Sequence, residues 1–214
     1  MRSFPQHQTF KVGGYYMNGS TTVPEEYKDC FGRIEGTGFG HHPTHLGEGM
    51  PWILDNGAFT GKFTSKAWHR SLKFLAPFKD TCILCTIPDI VGERSATLAM
   101  FEEYLPLVRE FGYPVAIVTQ DGMTTIDIPW KKIDAIFIGG TNDHKFSEDV
   151  QSIITTAQAF GIWVHVGRVN SAKRMKIFWT ADSWDGTTIS YAPDERGRVI
   201  GKAVREIREM KGKL

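Results

Sequence analysis

One repeating pattern constrains what this chain can fold into. From about residue 50 onward, a short apolar run that ends near Gly, Asp or Asn is followed by an amphipathic stretch of helical spacing. Apolar runs without strict alternation are typical of strands that are buried on both faces. The repeated strand–helix order therefore favours a parallel sheet with helices packed outside it. The runs are PWILDNGAF (51–59), TCILCTIPDIV (81–91), YPVAIVTQDG (113–122), IDAIFIGGT (133–141), GIWVHVGRV (161–169) and DSWDGTTIS (182–190).

The number of strands decides the architecture. KVGGYYMN (11–18) is a candidate seventh strand, and no segment stands out as an eighth. The pattern leaves two α/β arrangements open: a compact TIM-like (β/α)8-type barrel, closed or incomplete, and an open doubly wound sheet. We expect the barrel, as a single domain spanning residues 1–214. Residues 18–50 are rich in Gly, Pro and His, and we expect them to form a long loop over the active-site face.

Charge and hydropathy exclude several protein classes. A formal net charge of +1 argues against a uniformly basic nucleic-acid coat, although basic residues can still cluster on one face. No apolar run approaches the roughly 20 residues of a membrane span, and MRSFPQHQTF has no apolar signal core. The three cysteines fit a reducing compartment better than a disulfide scaffold. We therefore expect a cytoplasmic protein, in the host cytoplasm if a phage encodes it.

Two groups of residues raise the question of a metal site. Cys82 and Cys85 form a CxxC pair, but in a strand a spacing of three puts the two thiols on opposite faces. His41, His42 and His45 lie close in sequence but lack neighbouring carboxylates and are interrupted by a proline. We expect neither a metal nor another cofactor.

Polar residues collect where the predicted strands end. In a parallel sheet the carboxyl ends share one face, so these side chains should meet there. Two carboxylates on one pocket can divide the chemistry, one attacking and one moving protons. A Gln and an Asp can read the edge of a heterocycle, paired glycines allow close approach, and Phe59 can stack on a ring. The pocket suits a planar, hydrogen-bonding base attached to a sugar. The residues are Asp55, Asp89, Gln120, Gly139, Gly140, Arg168 and Asp185.

The order of these motifs resembles a known family. It is similar to the tRNA-guanine transglycosylase superfamily, most of all to the DNA 7-deazaguanine transglycosylases of phages and bacterial modification islands. The resemblance covers about residues 52–190 and rests on the order of the motifs, because each one alone is weak. The matching segments are DNGAF (55–59), PDIV (88–91), TQDG (119–122), FIGGT (137–141), HVGRV (165–169) and DSWDG (182–186).

The resemblance implies a role for each matching residue. Asp185 would attack C1′ of a nucleotide and form a covalent glycosyl-enzyme, while Asp55 would act as general acid/base. The implied activity is that of a pentosyltransferase that replaces guanine in DNA with a 7-deazaguanine such as preQ0 or a derivative. Asp182 would orient the site. The remaining substrate-binding residues would be Phe59, Asp89, Gln120, Gly139, Gly140 and Gly167.

The sequence departs from the family at three points. The CxCxxC zinc motif of the tRNA enzymes is not found, GTTIS replaces the usual CVxPTR after the nucleophile, and Val91 stands where a Cys is expected. The first departure favours DNA over tRNA as the polymer. Asp185-Gly186 and Asp55-Asn56-Gly57 are also ordinary turn signals, so each has a purely structural alternative.

Other functions and partners stay open. The chain could act on tRNA with a partner subunit, hydrolyse the glycosidic bond without exchange, or bind a base or nucleic acid without catalysis. The expected partners are duplex DNA, or alternatively tRNA, and the free 7-deazaguanine base; a homodimer or a partner subunit is left open. A guanine must leave the duplex to react, which requires phosphate contacts around the pocket. The expected contacts are Lys62, Lys66, Arg70, Lys145, Arg168, Lys173 and Arg174.

Overall fold

Eight parallel strands close into a barrel. The computed structural model describes residues 14–18, 21–37, 46 and 49–213. Each strand pairs with the next, and β1 also pairs with β8, where Tyr16 lies opposite Asp185. The TIM-like barrel is therefore confirmed, and it is closed rather than an open doubly wound sheet. The strands are β1 (Gly14–Asn18), β2 (Phe31–Gly36), β3 (Trp52–Asp55), β4 (Cys82–Thr86), β5 (Val115–Thr119), β6 (Ala135–Ile138), β7 (Trp163–Val166) and β8 (Ser183–Asp185).

The eighth strand lies inside the predicted loop. β2 falls within residues 18–50, so the loop prediction is wrong for 31–36, and a short 3-10 helix precedes it at Glu25–Cys30. The sequence FGRIEG hides this strand because glycines and charged residues interrupt its apolar character. The glycines are needed for close packing: a Cβ on Gly32 would lie 2.5 Å from the ring of Tyr16. Residues 38–45 and 47–48, with His41, His42 and His45, lie outside the described residues.

The helices pack around the barrel in the expected strand–helix order. Gly112, with φ 79°, ends the helix after β4 in the left-handed conformation that glycine favours. The final helix packs against the 3-10 helix before β2, where Gly201 faces the ring of Tyr27. In the described part of the chain, no helix has the length and apolar character needed to cross a membrane. The helices are α1 (Ser65–Leu75), α2 (Arg94–Phe111), α3 (Asn142–Lys145), α4 (Glu148–Ala159), α5 (Ala172–Ile177), α6 (Thr188–Tyr191) and α7 (Pro193–Lys211).

The inside of the barrel changes from apolar to polar along the strands. Its lower part is filled by a cluster that includes Tyr16, Ile34, Ile53 and Leu84, separate from the larger core under the helices. Because side chains alternate, the residue two positions after an inward one also points inward. Ile53 is followed in this way by Asp55. The carboxyl ends of the strands therefore carry polar groups above an apolar floor.

Candidate active site

A cavity of about 320 Å³ opens at the carboxyl ends of the strands. Its size suits a small ligand such as a single nucleobase with part of its sugar. The cavity brings together most of the residues singled out from the sequence, together with residues that the sequence did not single out, such as Asn18 and Thr86. The predicted residues among its walls are Asp55, Phe59, Asp89, Gln120, Gly139, Gly140, Arg168 and Asp185.

Asp185 is held by a hydrogen bond to each of its oxygens. Oδ1 accepts from the backbone N–H of Arg168 at 2.9 Å, and Oδ2 lies 2.9 Å from Nε2 of His165. The side chain is 11% exposed, which leaves it reachable only from the cavity. Gly167 passes close by, since a Cβ there would lie 3.3 Å from Oδ2. Gly167 therefore leaves room for the carboxylate, but it is not among the cavity-lining residues.

His165 is a site residue that the sequence reasoning missed. Its imidazole is fully buried, with Nδ1 2.8 Å from Oγ of Ser183, which in turn accepts from Nε1–H of Trp163 at 2.9 Å. The sequence did contain a sign of this role, because a histidine stands inside the otherwise apolar strand WVHV. His165 precedes Gly167 by two residues, as Ser183 precedes Asp185, so all four share the inward face.

Asp55 ends β3 in a tight turn. Its Oδ1 accepts from the backbone N–H of Gly57 at 2.8 Å, and Gly57 has φ 78°. Thr86 fixes the neighbouring backbone: its hydroxyl donates to the carbonyl of Leu54 and accepts from the N–H of Asn56. The pKa of Asp55 is raised to about 6, mainly by burial; the Gly57 hydrogen bond opposes the rise and the nearby charge of Asp185 contributes to it. Asp55 can therefore hold or release a proton near neutral pH.

Three neighbouring strand ends share a chain of polar side chains. Asn56 Nδ2 donates to Asp89 Oδ1 at 2.7 Å, and Gln120 Nε2 donates to Asp89 Oδ2 at 2.6 Å. Gln120 Oε1 accepts from the backbone N–H of Gly92 at 2.8 Å. Burial raises the pKa of Asp89 to about 6, with the Asn56 hydrogen bond lowering it and the charge of Asp55 raising it. The chain fixes the groups that would face the edge of a ligand.

The Gly139–Gly140 turn is braced from the neighbouring loop. Gly140 has φ 67°, and a Cβ there would lie 2.7 Å from the ring of His144. Asp121 holds the turn by accepting from the backbone N–H of Thr141 at 2.9 Å and from its hydroxyl. A Cβ at Gly139 would collide with Val118. The wall formed by this turn is therefore bare backbone, which a flat ligand can approach closely.

Arg168 crosses the mouth of the cavity. Its guanidinium donates to the carbonyl of Gly140 and lies 4.4 Å from the ring centroid of Phe59, a cation–π arrangement. Among the described residues other than glycine, it alone has positive φ, at 59°. Phe59 is 60% exposed, so its other face is open to a ligand. The two side chains together form a planar edge to the site.

Lys145 was predicted to contact nucleic acid from the protein surface, but its side chain does not lie at the surface. The short helix α3 turns the side chain inward, where it is 3% exposed and donates to the carbonyl of Gly167. The pKa of its ammonium is lowered to about 8, mainly by burial; the charge of Arg168 contributes to the fall and that of Asp185 opposes it. Lys145 therefore places a buried charge behind the strand that carries Asp185's partners.

Asp182 was predicted to orient the substrate site, and the structure places it elsewhere. It precedes the first residue of β8 and so lies at the opposite end of the barrel from Asp185. Its Oδ2 accepts from the backbone N–H of Val164 at 2.8 Å, and Oδ1 lies 3.6 Å from Nζ of Lys211. In barrels of this kind, residues at the amino ends of the strands contribute to stability rather than to catalysis. Asp182 joins β7, β8 and the final helix.

The remaining predicted DNA contacts lie around the rim. Lys62, Lys66 and Arg70 are exposed in and before α1, the helix after β3. Lys173 is exposed and Arg174 partly exposed in α5, the helix after β7. Both helices begin at the face that carries the cavity. Their role in binding nucleic acid stays a prediction.

Among the residues that the structure describes, no three or more His, Cys, Asp or Glu side chains are grouped so that they could hold a metal ion. Cys82 and Cys85 are buried free thiols in β4. The cavity thus offers carboxylates, amides, bare backbone and an aromatic–guanidinium pair.

Comparison with known proteins places the chain by fold. No protein-family model matches it, and no curated protein matches by sequence. Deoxyribose phosphate aldolase from Aeropyrum pernix matches at a TM-score of 0.55 and 9% identity, covering 93% of this chain and 92% of that one. KGPDC from Streptococcus mutans matches at 0.57 and 11%, covering 92% and 99%. A mutant tryptophan synthase α-subunit from Pyrococcus furiosus matches at 0.56 and 11%, covering 92% and 97%. These likenesses show the fold. At such identities they carry no activity over to this chain.

Proposed function

We propose that this protein is a base-exchange glycosyltransferase that replaces guanine in DNA with a 7-deazaguanine such as preQ0. One observation supports it most: Asp55 and Asp185 face one cavity in different environments. Asp185 has a hydrogen-bond partner at each oxygen, the backbone N–H of Arg168 at Oδ1 and the imidazole of His165 at Oδ2. Asp55 has its pKa raised to about 6. These different environments suit Asp185 to the role of nucleophile and Asp55 to the role of proton carrier.

The reaction balances with these two groups alone. The carboxylate of Asp185 attacks C1′ while the bond from C1′ to N9 of guanine breaks, and the electron pair leaves with the base. Protonated Asp55 gives its proton to the departing guanine. The incoming base then loses a proton to Asp55, its nitrogen attacks C1′, and the bond to Asp185 breaks. The two steps leave both carboxylates as they began.

The other walls fit a purine-like base. Asp89 offers acceptor oxygens, and the Gln120 amide keeps one N–H and a carbonyl lone pair beyond its bonds to Asp89 and Gly92. The bare backbone of Gly139 allows a flat ring to approach. The open face of Phe59 can stack on the same ring.

The depth of the cavity requires an extruded nucleotide. Asp185 is reached from within the barrel mouth, so a guanine stacked in a duplex cannot present C1′ to it. Base flipping costs a few kcal/mol, which contacts to the flanking phosphates must offset. The exposed basic residues of α1 and α5 surround this face and would supply such contacts. We propose duplex DNA as the polymer, as the resemblance to the DNA-modifying branch implies.

The test is to trap the glycosyl-enzyme. Purified protein is incubated with duplex DNA that carries radiolabelled guanine, with and without preQ0, and released guanine is measured. Because the sugar and not the base stays on the enzyme, a second DNA labelled in the deoxyribose reports the adduct. Nucleoside mass spectrometry of the product DNA reports incorporation of the 7-deazaguanine.

The chain offers a matched control beside the same strand: Asp182 directly precedes β8. Asp185→Asn should abolish both the adduct and guanine release, whereas Asp182→Asn, three residues away at the other end of the barrel, should keep both. Full activity of Asp185→Asn would refute the assignment. A parallel reaction with tRNA separates the polymers: exchange in tRNA and not in DNA would overturn the choice of DNA while leaving the chemistry in place.

A further inference from the structure

We propose that His165 is a positioning residue for Asp185, fixed by Ser183 and Trp163 as a neutral imidazole that donates from Nε2. This inference rests on the proposed function for its catalytic meaning. The arrangement of the hydrogen bonds supports it independently. The four side chains form one chain through the inside of the barrel, from β7 to β8, back to β7 and again to β8.

The first member fixes one direction of donation, and the proposed arrangement extends that direction along the chain. An indole N–H only donates, so Oγ of Ser183 accepts from Trp163 at 2.9 Å. The hydroxyl proton of Ser183 is then free to point at Nδ1 of His165, 2.8 Å away. With Nδ1 accepting, the proton of the neutral ring sits on Nε2 and is donated to Oδ2 of Asp185. Every donor in the chain points toward the carboxylate.

The surroundings hold the ring in this orientation. His165 is fully buried, lies against the ring of Phe137 at 4.7 Å between centroids, and meets Tyr16 edge to face at 5.8 Å. Turning the imidazole over would exchange its nitrogens for carbons at both hydrogen bonds. Packing and polar contacts therefore select the same orientation.

A neutral donor suits a nucleophile better than a cation does. It fixes the position of Oδ2 without cancelling the charge that must attack C1′. The backbone N–H of Arg168 does the same for Oδ1. When the bond to C1′ breaks in the second step, both donors are in place to receive the returning charge. Loss of the His165 donor should therefore slow chemistry and leave base binding unchanged.

The first measurement is ¹⁵N NMR of protein labelled at histidine, with the His165→Leu spectrum identifying the His165 signals. We expect Nδ1 to be unprotonated and Nε2 protonated at neutral pH. A protonated Nδ1 would overturn the proposal. In Ser183→Ala the Nδ1 signal should move toward that of an unbonded nitrogen; an unchanged signal would count against the role of Ser183.

The second measurement is single-turnover formation of the glycosyl-enzyme. His165→Leu should lower its rate roughly 100-fold, the scale expected for a misplaced reacting group, without changing preQ0 binding measured by calorimetry. His165→Gln, which keeps an N–H donor, should recover part of that rate. Tyr16→Phe is the matched control, because it touches the same ring and leaves the hydrogen bonds intact.

The outcomes separate this inference from the proposed function. An adduct that forms in the unsubstituted protein and equally fast in His165→Leu overturns the positioning role and leaves the proposed function standing. A fall in preQ0 binding parallel to the fall in rate would mark a structural role and also overturn it. Absence of any adduct in the unsubstituted protein, on DNA or tRNA, would refute the proposed function and with it the role of His165.

Discussion

Replacing Asp55 by Asn should stabilise the protein at neutral pH while removing its activity. The pKa of Asp55 rises from an ordinary 3.8 to about 6 on folding, because burial and the charge of Asp185 disfavour the ionised form. A difference of this size corresponds to about 3 kcal/mol of lost stability once the group is ionised. Asn removes the charge and keeps an oxygen for the Gly57 N–H.

The sign of the pH dependence follows from the raised pKa. The folded protein holds the Asp55 proton more tightly than the unfolded chain, so its contribution to stability is fully present below about pH 3.8 and is lost as the pH rises through about 6. Above about pH 6 the unsubstituted protein therefore has the full loss of stability, about 3 kcal/mol, that the buried Asp55 charge causes. The gain from Asp55→Asn should therefore be largest near pH 7.5, at up to about 3 kcal/mol, and should shrink by about 2 kcal/mol near pH 4.5.

Urea unfolding followed by tryptophan fluorescence at both pH values measures the gain directly. Asp89→Asn is the matched control, since the pKa of Asp89 is also raised to about 6, but both its oxygens accept from amide donors. The Asn amide would face one of those donors and should destabilise the protein by about 1–3 kcal/mol. An Asp55→Asn variant that is less stable than the unsubstituted protein at pH 7.5 would refute the reasoning.

Three further predictions test other parts of the structure. Asp182→Ala should lower the free energy of unfolding by about 1–3 kcal/mol, because the buried N–H of Val164 loses its acceptor. It should leave glycosyl-enzyme formation intact. Loss of the adduct in folded protein would mean that Asp182 does act in the site. Gly140→Ala should cost about 1–2 kcal/mol in urea unfolding, because φ is 67° and the new Cβ meets a ring; a neutral effect would contradict the geometry of that turn. Removing Lys66 and Arg70 together should weaken duplex DNA binding and reduce the slope of log K against log salt by about 0.9 for each lost phosphate contact, and an unchanged slope would exclude both from the DNA-binding surface.

Seven strands of the barrel could be predicted from the sequence: six are apolar runs that stop at a polar or glycine residue, and the candidate run at 11–18 contains β1, Gly14–Asn18. The same feature located the cavity residues, since strand ends in a parallel sheet lie together. β2 could not be found, because FGRIEG has the composition of a loop. Its strand conformation comes from pairing with β1 and β3 on either side, which is tertiary information.

The errors within the site have a common cause. The resemblance implied an orienting role for Asp182 because it lies in the same short segment as Asp185, but β8 separates the two residues and puts them at opposite ends of the barrel. Lys145 follows a strand end, as a phosphate contact would, but the single turn of α3 points it inward. His165 looked like part of a buried strand, and its importance appears only when Ser183 and Asp185 are placed beside it.

The seam of the barrel, where β8 pairs with β1, must form before the proposed reaction can occur. β8, which carries Asp185, pairs with β1, and contacts between segments this far apart in sequence are the costliest to close and form late. A partly folded chain with β3 to β7 in place would hold Asp55, Asp89 and Gln120 but not Asp185. On the proposed function, such a chain would lack its attacking carboxylate and would not react with nucleic acid before β8 pairs with β1.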